Sequence, residues 1–228
     1  MRLYQGMAER GITDAIADEI FLKMAAFANY GFPESHSVSF AYLVYSSSYI
    51  KLHEPAVFCA ALLNAQPMGF WSPHTLVRDA RRHGVLVHTP DINASGHEAT
   101  LEQHGESETG LAVRLGIGSV GGIGSELARE IATHRPYASI EELVARVPAL
   151  SRKQVEALAT AGAFTDSFGD DRRHALWEAG AHGHGDVAHL QGILGLNSRP
   201  TLPGMEPVEE AIADLWATGI SPDGHPTI

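Results

Sequence analysis

The sequence predicts a mainly α-helical protein carrying a small β ribbon, two successive helix-hairpin-helix units and a mostly irregular C-terminal tail. Three observations predict it. Apolar residues recur at helical spacing through most of the first 84 residues, with Ser, Thr and Pro where helices start. Two short β-prone runs, Val85-Leu86-Val87 and Leu111-Ala112-Val113-Arg114-Leu115, flank a polar stretch. A glycine turn, Val120-Gly121-Gly122-Ile123-Gly124, then leads into a helix, and a second helix-turn-helix follows it closely.

Taken in order, Thr13 N-caps a helix whose apolar positions are Ile16, Ile20, Met24 and Phe27. Tyr30-Gly31-Phe32-Pro33 ends it, because proline disfavours helix at the residue before it. A second helix runs from about Ser37 to Leu52, with Val38, Tyr42, Tyr45, Tyr49 and Leu52 on one face. That spacing suits core packing, with hydroxyls reaching the edge; stacking on bases is the alternative. Pro55 opens a third helix to Asn64, apolar nearly all round. Ser72-Pro73 starts a fourth, closed by Gly84 after Arg81-Arg82-His83.

The strand at 85–87 runs into Thr89-Pro90-Asp91-Ile92-Asn93, and residues 94–109 read as a polar loop before the partner strand at 111–115. After the glycine turn, Ser125 to Ala132 is helical, with Leu127, Ala128 and Ile131 inward. Ser139 caps a helix from Ile140 to Val147, Pro148-Ala149-Leu150 turns the chain, and Ser151 caps a helix whose apolar side is Val155, Leu158 and Ala159. From Gly180 the chain is rich in Gly, His and Pro and reads as a linker with one amphipathic helix near 208–216.

Composition narrows the function. The single Cys59 excludes internal disulfides and cysteine-based zinc clusters and fits a reducing cytoplasm. No stretch approaches the ~20 apolar residues that cross a bilayer, so no membrane role is expected. The net charge of −11 is uneven: residues 1–109 carry −5, residues 110–175 are neutral, and residues 176–228 carry −6. The glycine hairpin thus lies in the least acidic third, which permits phosphate contact without supplying a basic patch.

Glycines at the hairpin leave backbone amides uncovered, and the first amides of a helix have no intrahelical partner. Such amides, at the positive end of the helix dipole, suit a phosphate. Gly121, Gly122, Ile123, Gly124 and Ser125 are therefore candidates for gripping a DNA backbone, with Ser151, Arg152 and Lys153 from the second hairpin. An ordinary helix-helix turn is the plainer reading, and the repetition of the motif favours the grip. Ser35, His36 and Ser37 form a second phosphate-binding candidate where a Gly/Pro turn meets a helix, against a simple N-cap role.

Several other groupings read as structural. Lys51 and His53 sit at a helix end, where interaction with helical carbonyls competes with DNA contact. His182, His184 and His189, spaced by glycines, suit a linker better than a metal site. Gly169-Asp170-Asp171 superficially resembles a polymerase motif, but either aspartate is better placed to cap the helix that follows. No catalytic and no metal-ligating residue is assigned.

The segments 30–42 (YGFPESHSVSFAY) and 49–58 (YIKLHEPAVF) together resemble the fingers of bacterial C-family DNA polymerases, the polymerase III alpha-subunit type. Pro90-Asp91-Ile92-Asn93-Ala94-Ser95, Leu115-Gly116-Ile117, the tandem hairpins and Ala161-Gly162-Ala163-Phe164-Thr165 continue the likeness in order. Pro33-Glu34 before Ser-His-Ser, the stretch 62–70 and Trp216-Ala217-Thr218-Gly219-Ile220-Ser221-Pro222 resemble its error-prone, damage-inducible branch. The resemblance implies distal fingers over 1–84, a ribbon plus tandem DNA-binding hairpins over 85–175, and over 176–228 a linker towards an OB-type domain.

It further implies that Ser35, His36 and Ser37 lie near the triphosphate of an incoming deoxynucleotide, and that the partner is a primer-template duplex. Pro33-Glu34 stands where the replicative branch commonly has Asn-Lys, exchanging a positive charge for a negative one and loosening that contact. The metal-binding palm carboxylates of the family lie outside these segments. The expectation is therefore no cofactor in this chain, Mg²⁺ in the full-length parent, and no polymerisation by this chain alone. Translesion synthesis and repair, with other translesion proteins and a sliding clamp, are what the branch implies for the whole. A stand-alone DNA-binding or scaffold protein is the competing reading, and a His-dependent metal enzyme a third.

Overall fold

The computed structural model describes residues 2–29, 34–181 and 201–224, and the chain divides into two compact units, Met1–Tyr49 and Ile50–Ile228. In the first, α1 (Arg2–Ala8) precedes α2 (Asp14–Asn29), followed by most of α3 (Glu34–His53). Tyr4 donates to Asp18 Oδ1 (3.0 Å) and its ring lies 5.3 Å from that of Phe21. Among the described side chains of this unit Met7 and Ala17 are the buried apolar ones, whereas Ile16 and Met24 of the helically spaced apolar positions are exposed. The short α1 was not anticipated from the sequence.

Helix α3 corrects a second expectation. Tyr42, Tyr45 and Tyr49 are 72%, 73% and 56% exposed, and Val38 and Leu52 are exposed with them, so this face packs into no core among the described residues. The helix also starts earlier than residue 37, at Glu34. Tyr30-Gly31-Phe32-Pro33 and the histidine-bearing stretch 182–189 lie outside the described residues.

The second unit begins with the end of α3 and with α4 (Pro55–Asn64) and α5 (Pro73–Arg82). Both have proline in the first turn, and the Ser72 hydroxyl accepts from the Thr75 amide (3.3 Å). Lys51 ends in an ion pair with Asp79 of α5 (2.7 Å). Within the chain its partner is thus a carboxylate rather than a helical carbonyl.

The strands β1 (Leu86–His88), β2 (Thr100–Gln103) and β3 (Leu111–Arg114) form one sheet in the order β1-β3-β2. The anticipated pairing of the two apolar runs is present, in parallel, with Val87 opposite Val113. The stretch 94–109 is not simply a loop: its Thr-Leu-Glu-Gln segment pairs antiparallel with β3, Leu101 opposite Val113. As an edge strand with little buried surface it lacks the apolar alternation that marks a strand in sequence. Buried residues of α4, α5, β1 and β3 (Ala56, Cys59, Val77, Ala80, Val87, Val113) share one core with Ile220.

Beyond the sheet, a 3₁₀ turn (Ile117–Ser119) precedes the glycine hairpin and α6 (Ser125–Thr133). Helices α7 (Ile140–Arg146) and α8 (Arg152–Thr160) make the second hairpin, followed by α9 (Thr165–Phe168), α10 (Arg172–Ala181) and α11 (Pro207–Thr218). A second core collects Ile117, Val120, Ile131, Leu143, Leu150, Leu158 and Phe164. The loop 91–95 ties sheet to hairpins. Asp91 accepts from the amides of Asn93 and Ala94 (2.9 and 2.7 Å) and from Ser167, and the Ile92 amide donates to the Ala163 carbonyl. Asn93 exchanges two bonds with the Tyr137 backbone, and Arg135 donates to the carbonyls of Ala94 and Ser95.

Residues 201–224 are more than a linker. Asp214 of α11 is buried in an ion pair with Arg172 of α10 (2.6 Å), and Ala211, Ala217 and Ile220 are buried. Asp171 is the capping aspartate of α10: its Oδ1 accepts from the amides of Arg173 and His174 (2.9 and 3.0 Å).

Candidate nucleic-acid interface

The first hairpin turns because Gly122 adopts φ +83°, a conformation that costs an L-residue with a side chain about 1–2 kcal/mol. Its five residues are not equivalent. The Gly121 amide is already engaged, donating to the Ala217 carbonyl at the end of α11 (2.7 Å), and Ile123 is buried, its amide turned back to Val120. Gly122, Gly124 and Ser125 are exposed. Among the described residues, the Gly122 and Gly124 amides make no backbone hydrogen bond. No side chain caps α6 at Gly124. The open donors are thus the Gly122 and Gly124 amides and those of the first turn of α6.

The second hairpin differs in kind. Ser151 is an N-cap whose amide and hydroxyl both donate to Gln154 Oε1 (2.9 Å each). Arg152 is held by Glu156 (2.8 Å), and Lys153 is exposed with no ion pair among the described residues. Gln154 was not singled out by the sequence, although Ser151-Arg152-Lys153-Gln154 fits the S-x-x-Q capping pattern. Its Nε2 donates across to the Gly122 carbonyl (2.9 Å), joining the two hairpins directly.

Electrostatics around the module are carried by partnered groups. Arg114 is nearly buried between Glu102 and Asp166 and also donates to the Thr89 carbonyl. Burial pushes the Asp214 carboxyl up to about 6, outweighing the attraction of Arg172. Burial also raises Asp171, but the hydrogen bonds from the His174 amide and ring outweigh it and leave the carboxyl below its usual range. Burial, with Asp79 nearby, pushes the Cys59 thiol up to about 12.

Ser35, His36 and Ser37 occupy the first turn of α3, in the other unit. His36 and Ser37 are exposed, and the imidazole meets Phe40 edge-on at 4.5 Å; the side chain of Ser35 lies outside the described residues. Among the described residues no group of three or more His, Cys, Asp or Glu side chains is arranged to hold a metal ion. No described helix is long and apolar enough to cross a membrane.

Comparison with known proteins agrees with this geometry. Residues 84–175 match the model of the helix-hairpin-helix motif. The error-prone DNA polymerase of Mycolicibacterium paratuberculosis is 54% identical over 231 residues, which is 99% of this chain and 20% of that protein. The error-prone DNA polymerases of Nocardia farcinica and Burkholderia pseudomallei are 55% and 45% identical, again over 99% of this chain and 20% and 21% of their own lengths. The chain spans about a fifth of the length of these relatives.

Proposed function

We propose that this chain, 54% and 55% identical to error-prone DNA polymerases over the fifth of their length that it spans, is the DNA-gripping, non-catalytic portion of such a polymerase. The hairpin module at 84–175 holds duplex DNA by its backbone, so that a whole polymerase of this kind keeps hold of primer and template while copying damaged DNA. The observation that carries this is the pair of hairpins. One presents the uncovered amides of Gly122, Gly124 and Ser125; the other presents Lys153 beside the Ser151 cap. Backbone contacts of this type position a protein on DNA without reading sequence.

Residues 1–84 are the distal fingers in this reading, with Ser35, His36 and Ser37 on the side of the incoming deoxynucleoside triphosphate. Nucleotidyl transfer then depends on Mg²⁺ held by palm carboxylates contributed from outside this chain. A sliding clamp and other translesion proteins are partners of the whole enzyme, whose place of work is the cytoplasm. The test is duplex binding by the purified chain at 50 and 200 mM salt, together with primer extension in Mg²⁺ and all four deoxynucleotides. With Lys153 the unpaired cation of the candidate contacts in the two hairpins, among the described residues, log K falls with log salt at a shallow slope of about −1. Salt-independent binding, or none, overturns the grip; measurable extension overturns the assignment as non-catalytic.

A further inference from the structure

We propose that Gln154 is the positioning residue that sets the distance and angle between the two phosphate-gripping hairpins; this rests on the reading of the module as a duplex grip. One side-chain amide serves both hairpins. Its Oε1 accepts from the amide and hydroxyl of Ser151 (2.9 Å each), and its Nε2 donates to the Gly122 carbonyl (2.9 Å). A backbone amide can only donate and a carbonyl can only accept, so these partners fix which end of the side chain is oxygen. Gly122 presents that carbonyl from a left-handed turn (φ +83°), and its own amide is among the open donors. Gln154 lies at the third residue of α8, next to Lys153, and is half-buried.

The consequence is geometric. Two weak backbone contacts on one duplex reinforce each other only while both are held at the spacing of the phosphates. Elsewhere the first hairpin is tied through Gly121 to Ala217 of α11, and Ile123 shares a buried core with Val155 and Leu158 of the second; to that non-directional apolar contact Gln154 adds a directed hydrogen bond between the turns. The Gln154 amide links the two turns themselves. Its role is to hold phosphate-binding groups in place without contacting phosphate itself.

The test uses the full chain with Gln154→Leu and Gln154→Glu. Leu removes both links at similar volume and adds no charge. Glu keeps an acceptor for Ser151, and so the cap, while replacing the donor to Gly122. The expected result is duplex affinity lowered about tenfold in both variants, with a shallower salt slope, as one hairpin disengages. Melting temperature of the Glu variant stays near that of the unaltered chain, which a purely structural role would not allow alongside the binding loss. Unchanged affinity and slope in Gln154→Leu overturn the proposal while leaving the duplex grip standing. Loss in Gln154→Glu alone also overturns it, since charge repulsion then accounts for the effect. Failure of the unaltered chain to bind duplex overturns both readings.

Discussion

Substituting Gly124 by valine separates the cost of folding from the cost of binding. Gly124 has φ −73° and ψ 163°, extended values that valine adopts readily, and a Cβ built there meets no atom within 4 Å. Valine is a poorer N-cap than glycine by about 1 kcal/mol. Restricting the unfolded chain returns about 0.4–1 kcal/mol. Stability therefore changes by less than about 1 kcal/mol, equivalent to a melting shift within about 2–4 °C for a unit of this size. Binding is another matter, because the branched side chain stands over the amides offered to phosphate. Losing one charge-assisted hydrogen bond costs about 1.5–3 kcal/mol. At 1.4 kcal/mol per decade that is a drop of tenfold or more in duplex affinity. Fluorescence anisotropy on a labelled duplex over a salt series reads it. Gly122→Val makes the contrast: at φ +83° it costs about 2 kcal/mol of stability as well. A folded Gly124→Val protein with undiminished affinity and an unchanged salt slope refutes the hairpin as a phosphate contact.

Three further outcomes follow from the rest of the unit. Arg172→Met leaves the buried Asp214 without its partner and destabilises the chain by about 3–5 kcal/mol in urea titration, less whatever protonation of Asp214 recovers. The Asp214 carboxyl, at about 6 folded against about 3.9 unfolded, contributes stability that is full below pH ~4 and lost as pH rises through 6. Urea midpoints from pH 4 to 7.5 should therefore fall relative to those of Asp214→Asn across that window and run parallel above it; parallel curves throughout contradict the assignment. Cys59, buried with its thiol pushed up to about 12, should resist a thiol-specific reagent at pH 8 in the native chain and react at once in denaturant.

Much of the second unit was legible because its signals are local. Ser72-Pro73, Ser139 and Ser151 mark helix starts through their own side chains, and each stands at a helix N-cap. The glycine hairpin was visible for the same reason: Gly122 requires a backbone conformation that only glycine adopts without strain. What was hidden depends on distant partners. The engagement of the Gly121 amide needs Ala217, 96 positions away in sequence (217 less 121), and the Gln154 bridge needs Gly122 across an intervening hairpin. The helix near 208–216 was legible, but its packing was not: that depends on the buried pair of Asp214 with Arg172, 42 positions earlier in sequence (214 less 172). Periodicity failed on α2 and α3, where regular apolar spacing lies on exposed faces. Helical spacing shows that a face is apolar, not that this chain supplies its cover.

Charge and architecture of the module explain each other. A neutral module in a chain of net charge −11 gains little from long-range attraction to DNA, so its grip has to come from short-range donors aimed by the backbone. Amides at a hairpin add no net charge and do not read sequence, which suits the backbone grip proposed above. Precision of placement then matters more than the number of cations, and the fold supplies it repeatedly. Asp91 and Asn93 fix the sheet against the hairpins, α11 holds Gly121, and Gln154 holds Gly122 against Ser151. Added surface lysines near the hairpins would raise affinity by making it more salt-dependent, but would not replace a lost Gln154 bridge, because charge supplies attraction and not register.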